Sequence, residues 1–330
     1  LIRPSRRYYN MSTGPVFRPT QTKAFIRDPA AWYLSYVMKW RPRFIGKKEL
    51  AGFLGAAFAD GAAAYHNGLS DSNLDFDLPA QEVLLKKAAA VAIASVTESK
   101  EQVVRLGQSV YEDQSESWEL LEKRAAEMVF KYALNMPAHF HPSNIIASEL
   151  TLPNHGHCRI DLVINTDTGP TVVDFKTSLS LDAKYQAMRL REYEADWQMY
   201  HYVWAYQDYL QANCSQKAEH GEPCQTDHPV RRFAILLLVL EPKSRLPVLH
   251  PVVVDPELMQ IWVQSATQVW KAMHGIRTGT PFTLDPIPYA SFNFFSKFGR
   301  EDWADAIQKF HMDESLLPTA YVKEIPRDGN

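Results

Sequence analysis

The chain has few cysteines and no long apolar run, and both shortages narrow the class of protein. Three cysteines in 330 residues are too few for a disulfide framework and are typical of a reducing compartment. The most apolar run, 233–240, has the length of a strand, whereas a membrane span needs about 18 apolar residues. We therefore predict a protein that does not enter a membrane.

An excess of charge of one sign is also missing. Lysine and arginine number 35, aspartate and glutamate 38, and the formal net charge is −3. This balance excludes a generally basic nucleic-acid coat but permits a local basic groove. The first ten residues, LIRPSRRYYN, lack the apolar core of a secretory signal, so we expect a cytoplasmic protein.

The stretch 158–178, CRIDLVINTDTGPTVVDFKTS, carries acidic residues where a covered sheet rarely holds them. Turn-forming residues at 165–170 separate two runs that are rich in β-branched residues, which predicts a β-hairpin. A turn centred between positions 167 and 168 places Asp161 directly opposite Asp174. The Cβ atoms of such a pair lie about 4.5–5.5 Å apart, so the two carboxylates repel each other unless a cation lies between them.

Strand alternation places Lys176 on the same face as Asp174, with Phe175 pointing the other way. Two carboxylates and an ammonium group then converge on one patch. A register slip of one residue would instead move one aspartate to the opposite face. The acids could also be solvated positions of an amphipathic hairpin, with Lys176 as counter-ion. The apolar neighbours favour a site, because charges in a covered sheet need partners.

The other hydrophobic patterns predict an α/β fold with a mixed central sheet flanked by helices. Further strands are expected at 145–152, 231–240 and 247–254, and helices at 29–40, 49–67, 81–96, 115–134, 182–211 and 255–275, with a last helix near 301–310. We predict an N-terminal arm and short helix at 1–48, a core at 49–277 and a C-terminal extension with helical segments at 278–330.

Three polar positions outside the hairpin are candidates for a site. His66 ends the predicted helix at 49–67, and its residue type alone favours a histidine bonded to the last carbonyls over a metal ligand. Gln198 and Tyr202 lie on one side of the predicted helix at 182–211. The alternative for this pair is an incidental surface amide and a core aromatic.

A polar insertion is predicted at 213–229, and it contains four side chains of zinc-binding type. Zinc sites usually include a close pair with C-x2-4-C or H-x3-5-H spacing, and this segment has neither. We expect a loop and no zinc. The four residues are Cys214, His220, Cys224 and His228.

Carboxylates beside a lysine favour a hard cation, Mg²⁺ or Mn²⁺, over a soft one. Such an ion can bind a phosphodiester oxygen and lower the pKa of a bound water. Hydrolysis of nucleic acid is therefore the predicted reaction class.

Three segments together carry a resemblance to a known family. They are Asp161, the sequence Asp174-Phe175-Lys176, and the pair Gln198-x-x-x-Tyr202. This set resembles the signatures of the PD-(D/E)XK nuclease superfamily, in particular its RecB-like branch, which includes RecE-type exonucleases. The resemblance spans roughly 50–202 and implies a restriction-endonuclease-like core.

The resemblance also implies a role for each matching residue. It identifies metal-binding groups, a catalytic lysine, a pair that contacts the DNA backbone, and an acidic residue on the preceding strand as a candidate metal or substrate ligand. For His66, the resemblance favours a metal ligand over a histidine bonded to the last carbonyls of its helix. On this resemblance, the metal-binding groups are His66, Asp161, Asp174 and the Phe175 carbonyl. The catalytic lysine is Lys176, and the pair that contacts the DNA backbone is Gln198 and Tyr202. The acidic residue on the preceding strand is Glu149.

The chain departs from the branch pattern in two places. The residues before Asp161 read HCRI, where the branch has a glycine, and Ala62 stands four residues before His66, where the branch again has a glycine. The three cysteines cannot supply the four ligands of an iron–sulphur cluster, so none is expected.

The function that the resemblance implies is metal-dependent cleavage of DNA. We expect an exonuclease of prokaryotic or phage origin that acts in recombination, repair or processing. The expected partners are single-stranded DNA or duplex ends, with a further protein of a recombination or replication complex. A structure-specific endonuclease or nickase and an inactive nuclease-fold DNA-binding subunit are the alternatives.

Overall fold

The computed structural model describes residues 16–27, 29–37, 39–42, 44–71, 78–110, 118–136, 140–178, 183–219, 232–239, 247–278 and 321–323. The chain divides into two compact units, Leu1–Thr22 with Pro137–Thr280 and Lys23–Met136 with Pro281–Asn330. These units group the chain differently from the predicted boundaries after residues 48 and 277, which stay a prediction about domains.

The described residues form eight α-helices and nine strands. The helices are α1 (Pro19–Arg27), α2 (Pro29–Trp32), α3 (Lys47–Asp71), α4 (Leu78–Arg105), α5 (Trp118–Leu134), α6 (Ala183–Glu194), α7 (Trp197–Glu219) and α8 (Pro256–Arg277), with a π-helical turn at Tyr33–Val37 and 3-10 turns at Pro142–Asn144 and Pro153–His155. The strands are β1 (Trp40–Pro42), β2 (Phe44–Ile45), β3 (Ser109–Val110), β4 (Ile145–Leu152), β5 (Cys158–Thr166), β6 (Gly169–Ser178), β7 (Arg232–Val239), β8 (Val248–Val253) and β9 (Tyr321–Lys323).

The first unit is built on a five-stranded sheet with the order β4-β5-β6-β7-β8. The pairs β4/β5, β5/β6 and β7/β8 are antiparallel, and β6/β7 is parallel. Because parallel neighbours need a long crossover, α6 and α7 occupy the connection between β6 and β7. The prediction of a mixed sheet with flanking helices is confirmed.

The hairpin β5/β6 has the predicted register. Its pairs run from Thr166 with Gly169, next to the turn, to Leu162 with Val173. The turn residues are 167 and 168, and Gly169 has a φ of 103°, a left-handed backbone conformation that glycine adopts without strain. The ladder ends one pair short of Asp161 and Asp174, so these two residues occupy the next opposing positions.

The core of the first unit lies where α7 and α8 contribute their aromatic side chains. Residues 233–237 of β7 are all buried, as expected for a strand with both faces covered. His201 on α7 is fully buried, and its ring lies 5.4–5.8 Å from those of Trp204, Trp262 and Trp270. Its Nε2 donates a hydrogen bond to the His155 carbonyl at 3.0 Å.

The second unit contains the packed helices α3, α4 and α5. The small residues of α3 permit close approach, because a Cβ at Gly61 would lie 2.5 Å from Val129 Cγ2 and 3.1 Å from the Ala88 carbonyl oxygen. A Cβ at Gly68 would lie 2.1 Å from Leu84 Cδ1. The predicted helix stop at Asn67-Gly68 is wrong, because this glycine serves helix packing and α3 continues to Asp71.

Two further element boundaries differ from the prediction. The helix expected at 182–211 is two helices, since the chain breaks at 195–196 and Asp196 caps α7 by accepting a hydrogen bond from the Gln198 N–H at 2.8 Å. The insertion expected from 213 starts later, because α7 runs to Glu219. The Cys214 side chain, His220, Cys224, His228 and the helix expected near 301–310 lie outside the described residues.

None of the helices that the structure describes combines the length and apolarity that a membrane crossing needs.

Candidate active site

Asp161 and Asp174 come together because they stand at the end of the β5/β6 ladder. In place of a further main-chain pair, the Phe175 N–H donates a hydrogen bond to Asp161 Oδ2 at 2.7 Å. The carboxylate of Asp161 therefore reaches across to β6, one residue beyond Asp174. This hydrogen bond fixes Asp161 Oδ2 and keeps the Asp161 carboxylate beside Asp174.

Asp174 and Lys176 form an ion pair on the same face of β6. Their Oδ2 and Nζ atoms lie 2.5 Å apart, while the exposed fractions of the two side chains are 2% and 19%. The alternation that predicted a shared face is thus seen in the contact. Because both charges are largely withdrawn from water, their interaction is screened less than that of a surface pair.

Asp161, Asp174 and Lys176 form a cluster in which the simultaneous ionisation of both aspartates is unfavourable. Burial and the Asp174 carboxylate raise the pKa of Asp161 to about 8, against the opposing effects of the Phe175 N–H and the Lys176 ammonium. Burial lowers the pKa of Lys176, but the carboxylates of Asp174, Asp161 and Asp196 outweigh it and raise the pKa overall. The lysine is therefore charged at neutral pH, and the cluster would accept more positive charge.

Gln198 and Tyr202 adjoin this cluster from the first turns of α7. Gln198 Nε2 donates to Tyr202 Oη at 2.6 Å and to Asp174 Oδ1 at 3.3 Å. Tyr202 is 6% exposed, and burial together with the charges of Asp174 and Asp161 raises its pKa. The structure thus places the Gln198 amide between Asp174 and the Tyr202 hydroxyl, with a hydrogen bond to each.

Glu149 lies on the neighbouring strand β4, opposite Asp161. The flanking pairs are Ser148 with Leu162 and Leu150 with Ile160. Glu149 itself has a φ of 52°, the left-handed region that costs a non-glycine residue energy. Its Oε2 lies 2.7 Å from Arg159 Nε, and its charge contributes to the raised pKa of Asp161.

His66 lies in the second unit, within α3, and is fully buried. Its Nε2 and Tyr132 Oη are 2.6 Å apart, and burial lowers its pKa to about 4. The imidazole is neutral at physiological pH, which is the form that binds metals. Over the residues that the structure describes, no three His, Cys, Asp or Glu side chains are grouped as metal ligands. The metal-binding role of His66 stays a prediction.

The donor set of the hairpin fits a hard divalent cation. Two carboxylates at adjacent positions and a main-chain carbonyl at Phe175 are the oxygen ligands that Mg²⁺ and Mn²⁺ prefer. Burial is the largest cause of the raised pKa of Asp161 and the Asp174 carboxylate the second, and a cation bound to both acids would offset the second cause.

Three residues near the cluster were missed by the sequence analysis. Arg159 bonds Glu149, Asp196 caps α7 beside Lys176, and the Tyr193 ring lies 5.5 Å from Lys176 Nζ. Asp196 two residues before Gln198 is a helix-cap signal that divides the long helical stretch, and it could have been recognised. The other two depend on side-chain directions that the sequence pattern does not give.

The chain was compared with known families and with characterised proteins. The family model of the PD-(D/E)XK nuclease superfamily matches residues 17–289. The match includes β4 to β8 and all four residues of the Asp161, Asp174, Lys176 and Gln198 cluster. A search of the curated proteins found no match.

Proposed function

The chain belongs to the PD-(D/E)XK nuclease superfamily, and we propose that it is a metal-dependent deoxyribonuclease that degrades DNA from an end. One observation carries the proposal: Asp161, Asp174 and Lys176 stand together on two adjacent strands, with Gln198 bonded to Asp174. An inactive subunit would not need this set of contacts. The resemblance of Gln198-x-x-x-Tyr202 to the RecB-like branch supports an exonuclease of recombination, repair or processing that works with a protein partner.

Mg²⁺ or Mn²⁺ would be held by the carboxylates of Asp161 and Asp174 and by the Phe175 carbonyl, with His66 as a further ligand and Glu149 as a candidate ligand to metal or substrate. When bound, the ion supplies a Lewis acid for the phosphodiester and lowers the pKa of a water.

The side chains around the acids have separate tasks. Lys176 keeps its proton at neutral pH, so its ammonium group can donate hydrogen bonds to a phosphate oxygen and offset negative charge there. Gln198 fixes Asp174 Oδ1 through its amide. Tyr202, being buried, holds that amide in place by accepting its second hydrogen bond.

The cleavage assay uses linear and closed circular DNA, labelled at the 5′ or the 3′ end of the linear form. Wild-type protein should degrade linear DNA with Mg²⁺ or Mn²⁺ and not with EDTA. Asp174→Asn and Lys176→Met should each lower the rate by about 100-fold or more, the scale of a lost metal-holding or proton-handling group.

Asp167→Asn is the matched control, because Asp167 is an exposed residue in the turn of the same hairpin. Its rate should equal that of wild type. Absence of metal-dependent cleavage of every substrate would disprove the proposed nuclease activity. Cleavage of closed circles would replace the exonuclease with an endonuclease, and faster degradation of a matching RNA would change the substrate class.

A further inference from the structure

Helix α6 contributes an aromatic ring to the surroundings of Lys176. The ring centroid of Tyr193, in the last turn of α6, lies 5.5 Å from Lys176 Nζ, within the range of a cation–π contact. The same ammonium group lies 2.5 Å from Asp174 Oδ2. Lys176 is therefore held on one side by a carboxylate and on another by a ring.

The ring is itself held by a neighbour on the same helix. The Arg189 guanidinium carbon lies 4.9 Å from the Tyr193 ring centroid, and Arg189 Nη2 donates a hydrogen bond to Tyr193 Oη at 2.9 Å. Glu192 forms an ion pair with Arg189 Nη1. Because positions three and four apart on a helix are neighbours, this arrangement keeps the guanidinium and the ring in one orientation.

We propose that Tyr193, braced by Arg189, is a positioning residue for Lys176. The inference rests on the proposed nuclease function and adds to it a residue that no motif contains. Lysine has a flexible four-carbon stem, so a single carboxylate partner leaves its ammonium group able to swing around that partner. A ring face restricts this motion without accepting a conventional hydrogen bond, so the N–H donors stay available for a phosphate oxygen.

The test compares variants of the full chain in steady-state, multiple-turnover cleavage of labelled linear DNA with Mg²⁺. Tyr193→Leu removes the ring and should lower kcat about tenfold while KM stays within about twofold, as expected for the loss of one cation–π contact used in the reaction. Tyr193→Phe keeps the ring face and should keep kcat within about threefold of wild type. Met188→Ala, a side-chain truncation on the same helix at a residue that is 48% exposed, should behave as wild type.

Wild-type kcat in Tyr193→Leu would overturn the proposal. Equal losses in Tyr193→Leu and Tyr193→Phe would also overturn it, because the hydroxyl and not the ring face would then matter. A fall in kcat for Met188→Ala as large as that for Tyr193→Leu would do the same, since it would indicate a general effect on α6.

A spectroscopic measurement tests the contact independently of catalysis. In protein labelled with ¹³C-lysine, the Cε–Hε signal of Lys176, assigned through Lys176→Arg, should show an upfield ring-current shift that Tyr193→Phe retains. A signal at the ordinary lysine position in wild type would disprove the contact, and this result can be read even if Tyr193→Leu does not fold. If the wild type cleaves no DNA, the proposed function fails while the shift still reports on the contact.

Discussion

Asp161 accepts a hydrogen bond from the Phe175 N–H at 2.7 Å, so a side chain of one strand bonds the main chain of the next at the point where their ladder stops. The bond aligns the Asp161 carboxylate with Asp174 across the two strands. It partly offsets burial and the charge of Asp174, which together still raise the pKa of Asp161. A cation held by Asp161 and Asp174 would favour the ionised form of both acids.

Asp161→Asn should stabilise the metal-free protein at pH 8. The raised pKa means that folded protein retains a proton on Asp161 which the unfolded chain has released, so the wild type loses stability as pH rises from about 4 to 8. Asparagine does not titrate. Melting curves in EDTA should show a gain for the variant of about 1 kcal/mol or more at pH 8 that shrinks toward pH 5.

The same variant should lose the increase in melting temperature that Mn²⁺ gives the wild type, and it should not cleave DNA. Asp167→Asn, in the exposed turn, serves as control and should keep both properties. A wild-type response to Mn²⁺ in Asp161→Asn would contradict its role as a ligand.

Tyr202→Phe should slow cleavage by roughly threefold to tenfold, the value of one lost hydrogen bond. The hydroxyl accepts from Gln198, and without it the amide has a weaker hold on Asp174 Oδ1. Single-turnover rates measure the effect. Tyr206→Phe is the matched control, because Tyr206 is a buried tyrosine one turn along α7 with an equally removable hydroxyl. Equal rates in the two variants would show that the Tyr202 hydroxyl has no specific role in cleavage.

The proposed metal-binding role of His66 can be separated from its structural role. Tyr132→Phe removes the hydroxyl that contacts His66 Nε2 but keeps the imidazole, whereas His66→Asn removes the imidazole and keeps the hydroxyl. Both should destabilise the protein by about 1–3 kcal/mol, because each leaves a buried group without its hydrogen bond. His66→Asn alone should reduce the Mn²⁺-induced increase in melting temperature. Equal increases in the two variants would assign His66 to the core.

Acid should destabilise the first unit through His201. Burial lowers the pKa of His201 to about 4, while the unfolded histidine titrates near 6.5. Below about pH 6.5 the unfolded chain therefore binds a proton that the folded state does not, and stability falls by up to about 3 kcal/mol by pH 4. His66 has the same shift, so acid should destabilise the second unit in the same way.

His201→Gln preserves a donor for the His155 carbonyl but does not titrate, so its melting temperature should fall less between pH 7 and pH 5 than that of wild type. Denaturant titrations at both pH values give the free energies of unfolding. An unchanged pH dependence in the variant would show that folding does not lower the pKa of His201.

The hairpin and its register could be predicted because their signals are local. Turn residues and β-branched runs set the register of the hairpin. Strand alternation then predicts that the side chains of Asp161, Asp174 and Lys176 share a face before any tertiary contact is known. The position of Gln198 and Tyr202 one turn apart is equally local. The break at 195–196 does not move Tyr202 relative to Gln198, so the wrong single helix still paired the two residues correctly.

What could not be predicted depends on packing between elements. Asn67-Gly68 reads as a helix stop, but Gly68 is where Leu84 lies close to α3, and tertiary packing overrides the local signal. The left-handed backbone of Glu149 and the Arg159 contact have no counterpart in a strand pattern. The contact of Tyr193 with Lys176 joins α6 to β6, and such a contact between elements has no signal in the sequence pattern.

Strand β6 is bonded along both of its edges, antiparallel to β5 and parallel to β7. The β5 ladder stops at Val173, and Asp174, Phe175 and Lys176 pair with β7 along the other edge, so these three residues lose their places only when the β6/β7 pairing opens. Heat cannot disable these three residues by loosening a peripheral loop first. Their chemistry and the sheet should be lost at one temperature, so that catalytic half-life becomes a direct measure of how long the sheet survives.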